Sequence, residues 1–177
     1  METEITLRAL EPLDVELLYE WENSPDLWEY SDVPAPFSRY ALQQYVERAT
    51  TEDIYALRQL RLMVDLAQPH GTRATIGAVD LYDLDPLHAR AGVGVLIFDK
   101  CCRQKGHATQ ALKQLIDYAF GTLHLHQLHC AVSESNIASL SLFKKLGFEA
   151  TGLRKAWRKH GDSFENEIFM QRFSQKM

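Results

Sequence analysis

The sequence predicts a single-domain α/β fold of the α+β kind, a mixed sheet of about seven strands flanked by about four helices. Three observations point there. The 177 residues are 46% hydrophobic and 24% charged, which suits one domain with one sizeable core. Segments of strand and helix period alternate through the middle of the chain, while turn-rich joins near both ends suggest antiparallel hairpins. With 9 Gly, 6 Pro and 3 Cys, the composition excludes a disordered chain, a collagen-like repeat and a disulfide-stapled miniprotein.

Ile5-Thr6-Leu7-Arg8 alternates apolar and polar residues, as a half-buried first strand does. Leu13, Leu17, Leu18 and Trp21 then recur at helical spacing, with Pro25 as a stop. Ser38 is placed to cap a second helix whose apolar face is Ala41, Leu42, Tyr45 and Val46. Residues 60–66 and 75–84 read as strands joined by Gln68-Pro69-His70-Gly71-Thr72, a hairpin whose loop exceeds the two-residue optimum. Residues 91–98 are almost continuously apolar, which fits a strand covered on both faces. Beyond a polar stretch, Ala108, Ala111, Leu112, Leu115, Ile116, Ala119 and Phe120 step by three and one, the mark of an amphipathic helix. Residues 125–132 form a strand and 138–146 a short helix closed by Gly147. Residues 148–153 and 164–173 supply two last strands, the second entered from His160-Gly161-Asp162.

The net charge of −5 argues against a general nucleic-acid binder, whose affinity rests on neutralising phosphates. Its distribution says more: residues 1–36 carry −9, residues 37–98 carry −1, and residues 99–177 carry +5. No stretch reaches the ~18 apolar residues of a membrane span. The acidic opening Met1-Glu2-Thr3-Glu4 lacks the segments of a signal peptide, and the odd, partly adjacent set Cys101, Cys102 and Cys130 implies no disulfide framework. A reduced, cytoplasmic protein is expected.

The chemically suggestive segment is Arg103-Gln104-Lys105-Gly106-His107-Ala108, between an apolar strand and the long helix. A helix start offers unpaired N–H groups and the positive end of the macrodipole, a setting for phosphate or pyrophosphate. Gly106 lets backbone approach a ligand, Ala108 keeps the start uncrowded, and Arg103 and Lys105 add charge. From the hexapeptide alone, a solvated strand-to-helix turn is the alternative. Neither a P-loop nor a dinucleotide fingerprint fits, since Gly-Lys-Ser/Thr and the three-glycine pattern are both missing.

The hexapeptide resembles the Arg/Gln-x-x-Gly-x-Gly/Ala signature of the GNAT acetyltransferase superfamily. Asn136-x-x-Ser139 followed by Leu142-Phe143-Lys144-Lys145-Leu146-Gly147-Phe148-Glu149 is similar to its second coenzyme segment. Leu7-Arg8-Ala9-Leu10, Asp14, Trp21-Glu22-Asn23 and Trp28 are similar to the branch of ribosomal-protein and polyamine acetyltransferases. The resemblance covers nearly the whole chain and implies one acetyltransferase domain over residues 1–177, acetyl-CoA as co-substrate, an amine acceptor and no metal. It also implies that strands 91–98 and 125–132 part to admit pantetheine, whose amides pair with the backbone of Leu96, Ile97 and Phe98. The amides of Gln104, Lys105, Gly106, His107, Ala108 and Thr109 would hold the pyrophosphate. Asn136 and Ser139 would meet the pantetheine arm, Phe143 would line it or serve as plain core, and Lys145 would approach the adenosine phosphate.

An attacking alkylamine resembles Lys, with a pKa of ~10.4, so a base is needed near neutrality. The developing oxyanion needs an N–H donor, for which Leu96 or Ile97 is placed. Two departures stand out. Many relatives carry Glu early in the splayed strand where this chain has Gly92, and many carry Tyr where it has Phe143. The base is therefore sought at Asp80 first, with Asp83, Glu22 and Glu29 behind it; an exposed strand carboxylate is the alternative for Asp80.

Acids and aromatics intermix at Glu20, Trp21, Glu22, Asp26, Trp28, Glu29, Tyr30 and Asp32, which favours a cationic polyamine or diamine through charge and cation–π contact. A solvated acidic helix face is the alternative. Other functional classes are an N-terminal acetyltransferase acting on a basic ribosomal protein, a non-catalytic acetyl-CoA module, and a nucleotide binder. A homodimer is expected by analogy with the branch. His124, His126 and His129 lack a fourth ligand for zinc, and Lys155, Trp157, Arg158 and Lys159 read as a solvated basic edge.

Overall fold

The computed structural model describes residues 4–25 and 35–175. Its strands are β1 (Ile5–Ala9), β2 (Leu60–Ala67), β3 (Arg73–Asp85), β4 (Arg90–Ile97), β5 (Gln127–Ser133), β6 (Glu149–His160) and β7 (Ser163–Phe173). They form one seven-stranded mixed sheet in the order β1-β2-β3-β4-β5-β7-β6. The helices are α1 (Val15–Glu22), α2 (Arg39–Thr51), α3 (Ile54–Leu57), α4 (His107–Gly121) and α5 (Ile137–Lys145). This is the mixed single-domain architecture expected from the sequence, with one added short helix.

Local chemistry explains the helix bounds. The Ser38 hydroxyl accepts from the Ala41 amide at 3.1 Å, starting α2 as expected. Asp53 accepts from the amides of Tyr55 and Ala56, starting the one-turn α3, and Arg58 at φ 54° ends it. A single turn carries no periodicity, which is why the sequence pattern did not reveal it. The steps of three and one in α4 bury Ala111, Leu112, Leu115, Ile116 and Ala119 against the sheet.

The sheet separates two cores. One face packs Leu81, Val93, Leu128 and Met170 under α4 and α5 in the larger core. The other packs Met63 and Ala78 with Leu18, Trp21, Leu42 and Val46 of α1 and α2. Strand alternation places Asp80, Tyr82 and Gly92 on this second face.

The site depends on how β4 meets β5. These parallel strands share three register pairs, Arg90↔Gln127, Ala91↔Leu128 and Gly92↔His129, and pair no further. Beyond Gly92 they fork, and residues 94–96 of β4 are only half-buried. The expectation of a strand covered throughout is thus corrected: its apolar run continues past the point where it loses a neighbour. Other bounds shift as well. Strand β4 ends at Ile97 rather than Phe98, β5 starts at Gln127 rather than Leu125, and β6 runs to His160 rather than Leu153. A register shift between Arg154 and Arg158, with Ala156 at φ 48°, carries β6 on alongside β7 and breaks its alternation.

Candidate active site

The fork opens into a cleft of about 560 Å3. Tyr82, Val93, Gly94 and Val95 line one side, Cys130 to Ser133 the other, and Asn136, Ser139 and Phe143 of α5 close it. Phe143 is buried and meets Phe148 edge-on at 5.2 Å, so it is both core and cleft wall. The Asn136 side chain accepts from the Ser139 amide at 3.0 Å and caps α5. Both residues still line the cleft.

Strand geometry decides which backbone groups face the gap. The Phe98 amide donates to the Ile76 carbonyl of β3 at 2.9 Å. Alternation therefore turns the N–H and C=O of Leu96 towards β3, and those of Val95 and Ile97 towards the space β5 has left. The expectation that Leu96, Ile97 and Phe98 all stay unpaired is corrected by two contacts. The Phe98 amide is taken by Ile76, and Arg103 donates to the Ile97 carbonyl at 2.8 Å and the Phe98 carbonyl at 3.1 Å. Arg103 thus ties the loop to the end of β4 instead of pointing outward.

The loop presents an uncapped helix start. Gly106, at φ +86°, is the N-cap of α4 and supplies no side-chain bond. A Cβ there would meet nothing within 4 Å, so the backbone conformation, rather than crowding, calls for glycine. The first α4 hydrogen bond joins the Gln110 amide to the Gly106 carbonyl at 3.1 Å, and the amides of His107, Ala108 and Thr109 precede it. This donor set fits a pyrophosphate. The His107 ring is buried, with Nδ1 3.1 Å from the Cys102 carbonyl, so only its amide faces this end. Gln104, at φ 59°, and Lys105 are exposed beside it. Lys145 lies elsewhere, in a separate groove with Lys113, Asp117 and Arg172.

On the second face, Arg61 joins two expected carboxylates. Its Nε donates to Asp80 at 2.7 Å and its Nη1 to Glu22 at 2.8 Å. The three side chains are 19%, 16% and 23% exposed, which separates this network from ordinary surface pairs. Burial opposes the Arg61 charge, but Asp80, Tyr45 and Glu22 outweigh it and hold the guanidinium above its usual range. Asp80 opposes Gly94, a residue of the cleft wall, in the β3–β4 register. Asp83 is exposed, at φ 48°.

The acidic first third is less open than its charge implied. Arg8 pairs with Asp14 at 2.7 Å, Arg39 with Glu16 at 3.0 Å and Arg61 with Glu22 at 2.8 Å. Trp21 is core, stacked on Phe98 at 5.5 Å, as its place on the apolar helical face implies, which corrects its expected place among the aromatics offered to the acceptor. Asp26, Trp28, Glu29, Tyr30 and Asp32 lie outside the described residues.

Two residues that sequence reasoning did not single out enter the site. One is Arg61; the other is Tyr82. A Cβ on Gly92 would lie 2.2 Å from Tyr82 Cε2 and 2.4 Å from Cζ, so the phenol ring fills the space of a side chain at 92. The available signal was the period-two relation of Tyr82 to Asp80. Burial, followed by Cys130, Asp83 and Glu167, pushes the Tyr82 phenol up to about 12. The His129 ring meets Tyr82 edge-on at 6.0 Å and tilts against Phe169 at 5.3 Å; burial lowers its pKa. His124 and His126 are exposed, and among the described residues no three His, Cys, Asp or Glu gather to hold a metal ion. No helix among them is long and apolar enough to cross a membrane.

Residues 4–149 match a family model described as the acetyltransferase (GNAT) domain. The spermidine N(1)-acetyltransferase of Escherichia coli K12 is 27% identical over 150 residues, covering 84% of this chain and 74% of that protein. A crystal structure of spermidine N-acetyltransferase from Vibrio cholerae in complex with CoA and spermine superposes with a TM-score of 0.84 at 22% identity, over 96% of this chain and 95% of the other. A dodecameric structure of the Vibrio cholerae spermidine N-acetyltransferase superposes with a TM-score of 0.77 at 23% identity, over 96% and 93%. At these identities the structures establish a shared fold.

Proposed function

The chain belongs to the GNAT acetyltransferase family, and from that premise we propose that it transfers the acetyl group of acetyl-CoA to a primary amine, with a cationic polyamine or diamine as the favoured acceptor. The observation that carries the reading is the β4–β5 fork, with the uncapped start of α4 at its mouth. Pantetheine amides would pair with the cleft-facing backbone of Val95, as an added strand would, which leaves the Ile97 amide for the thioester oxygen. The pyrophosphate would rest on the amides from Gln104 to Thr109, with Lys105 adding charge. Asn136, Ser139 and Phe143 would wall the arm.

The acceptor must lose a proton. Holding an amine of pKa ~10.4 neutral near pH 7.4 costs about 4 kcal/mol, which makes a base worth having. Asp80 is the proposed base, and Glu22 shares its arginine. Arg61 takes up part of the lone-pair capacity of Asp80, and a carboxylate has about four such sites, so an ammonium can still donate to it. Two carboxylates around one guanidinium leave a net negative charge, which favours a cationic acceptor. Asp80 takes one proton from the ammonium and releases it to solvent; the neutral nitrogen then attacks the thioester carbon, its second proton passes to Asp80, and the oxyanion accepts from the Ile97 amide. The thiolate leaves with little help, because a thiol has a pKa near ~8.5. Relatives that act on spermidine support the polyamine choice, and a dodecameric neighbour supports assembly into an oligomer.

Thiol release from acetyl-CoA across a panel of spermidine, spermine, putrescine, an aminoglycoside and a basic ribosomal peptide tests the reading. Turnover highest with the polyamines is expected. Preference for the peptide would overturn the acceptor choice, and CoA binding without turnover would overturn the enzyme reading.

A further inference from the structure

Of the four hydroxyl-bearing side chains that line the cleft, Ser133, Ser135, Ser139 and Tyr82, two are committed to each other. Ser133 Oγ lies 2.9 Å from Ser135 Oγ, and Ser135 donates to Glu165 at 2.7 Å. Tyr82 lines the same cleft, and its hydroxyl makes no hydrogen bond among the described residues. Its position is fixed by shape. Gly92 is the last β4 residue paired with β5, and the Tyr82 ring lies across its backbone so closely that any side chain at 92 would occupy the ring's atoms. Its Cε1 would stand 3.9 Å from a Cβ at Gly94, the next glycine along the cleft, and Asp80 Cβ stands at the same distance. Asp80 and Tyr82 therefore flank one point of the open strand, while Phe143 on the opposite wall has no hydroxyl.

We propose that the Tyr82 hydroxyl is a catalytic hydrogen-bond donor of this enzyme, directed at the charge that develops on the reacting thioester. The proposal rests on the acetyltransferase reading. It assigns Gly92 a purpose, since the missing side chain makes room for a phenol from the neighbouring strand. Tyr82 does not surrender its proton. Burial holds the phenol well above a thiol, whose pKa is near ~8.5, so full transfer to the thiolate is unfavourable. The amine proton goes to Asp80, the thiolate leaves as an anion, and the phenol donates a hydrogen bond throughout. A desolvated donor aimed at developing charge is worth about tenfold to a thousandfold in rate.

The test compares wild type, Tyr82→Phe and Tyr82→Ala by thiol release, with kcat expressed per CoA-binding site from calorimetry and folding followed by melting. Tyr82→Phe keeps the ring over Gly92 and loses one oxygen. The expected result is a kcat at least about tenfold lower, with the acetyl-CoA KM within about twofold and the melting temperature unchanged. A Tyr82→Phe enzyme with wild-type kcat overturns the proposal. If Tyr82→Ala alone is impaired, the ring is only a filler, and that outcome overturns it too. Failure of the wild type to turn over any amine is a separate result, seen before any variant is made; it overturns the acetyltransferase reading and Tyr82's role with it.

Discussion

The two faces of the sheet are built from different materials. Under α4 and α5 the strands contribute Leu81, Val93, Leu128 and Met170 to a hydrocarbon core. On the other side the same strands contribute Asp80, Tyr82, Gly92 and His129, with Arg61 from β2. Both faces carry an apolar core, and the second adds charge and hydrogen-bonding groups at the point where the sheet opens. Period-two alternation lets neighbouring residues in one strand serve both purposes without compromise.

The sharpest way to break this division is to damage each face and ask what is lost. Leu115→Ala, on the hydrocarbon face, removes a fully buried side chain and is expected to cost about 3 kcal/mol in urea unfolding. Activity per folded molecule should stay unchanged; a kcat that falls with it would mean that the faces are not separable. Arg61→Met leaves Asp80 and Glu22 without their shared cation. A loss of about 2 kcal/mol is expected, below the value for a fully buried pair because each group keeps some exposure. Here turnover should fall as well, as thiol-release assays would show.

Asp80→Asn keeps the shape and removes the proton acceptor. About a hundredfold lower turnover with unchanged acetyl-CoA affinity is expected, and unchanged turnover would remove Asp80 as the base. The smallest effect concerns His129, whose pKa is lowered by burial. A depressed folded-state value means that the unfolded chain binds the proton more readily. The stability is therefore complete above the unfolded value of ~6.5 and is lost as pH falls through the folded one. A small fall in melting temperature between pH 7 and pH 5, abolished in His129→Gln, would localise that sensitivity to the polar face.

Much of the first face was legible in the sequence, because helical steps and apolar runs report burial directly. The α4 pattern and the Ser38 cap are examples. The loop from Arg103 to Ala108 was legible as a helix start, but the direction of the Arg103 side chain was not, since its partners are carbonyls already used to end β4. The pairing of Arg61 with Asp80 was hidden by one residue. Counting outward from Ala67↔Arg73 sets Arg61 opposite Val79; the bulge between Val64 and Asp65 shifts the register and brings Asp80 there instead. Gly92 looked like a missing carboxylate, because a sequence records that a side chain is absent and cannot record what fills its place. Only the folded β3–β4 pair supplies Tyr82.

The fork has a mechanical consequence. Strands β1 to β4 form one ribbon and β5, β7 and β6 another, and among the described residues three register pairs at one end are the only backbone ladder between them. Load applied to the open end therefore has no hydrogen-bonded path across the middle of the sheet. In the proposed complex a pantetheine arm bonded to Val95 would supply that path and would splice the two half-sheets. Binding and stiffening of the open end would then be a single event.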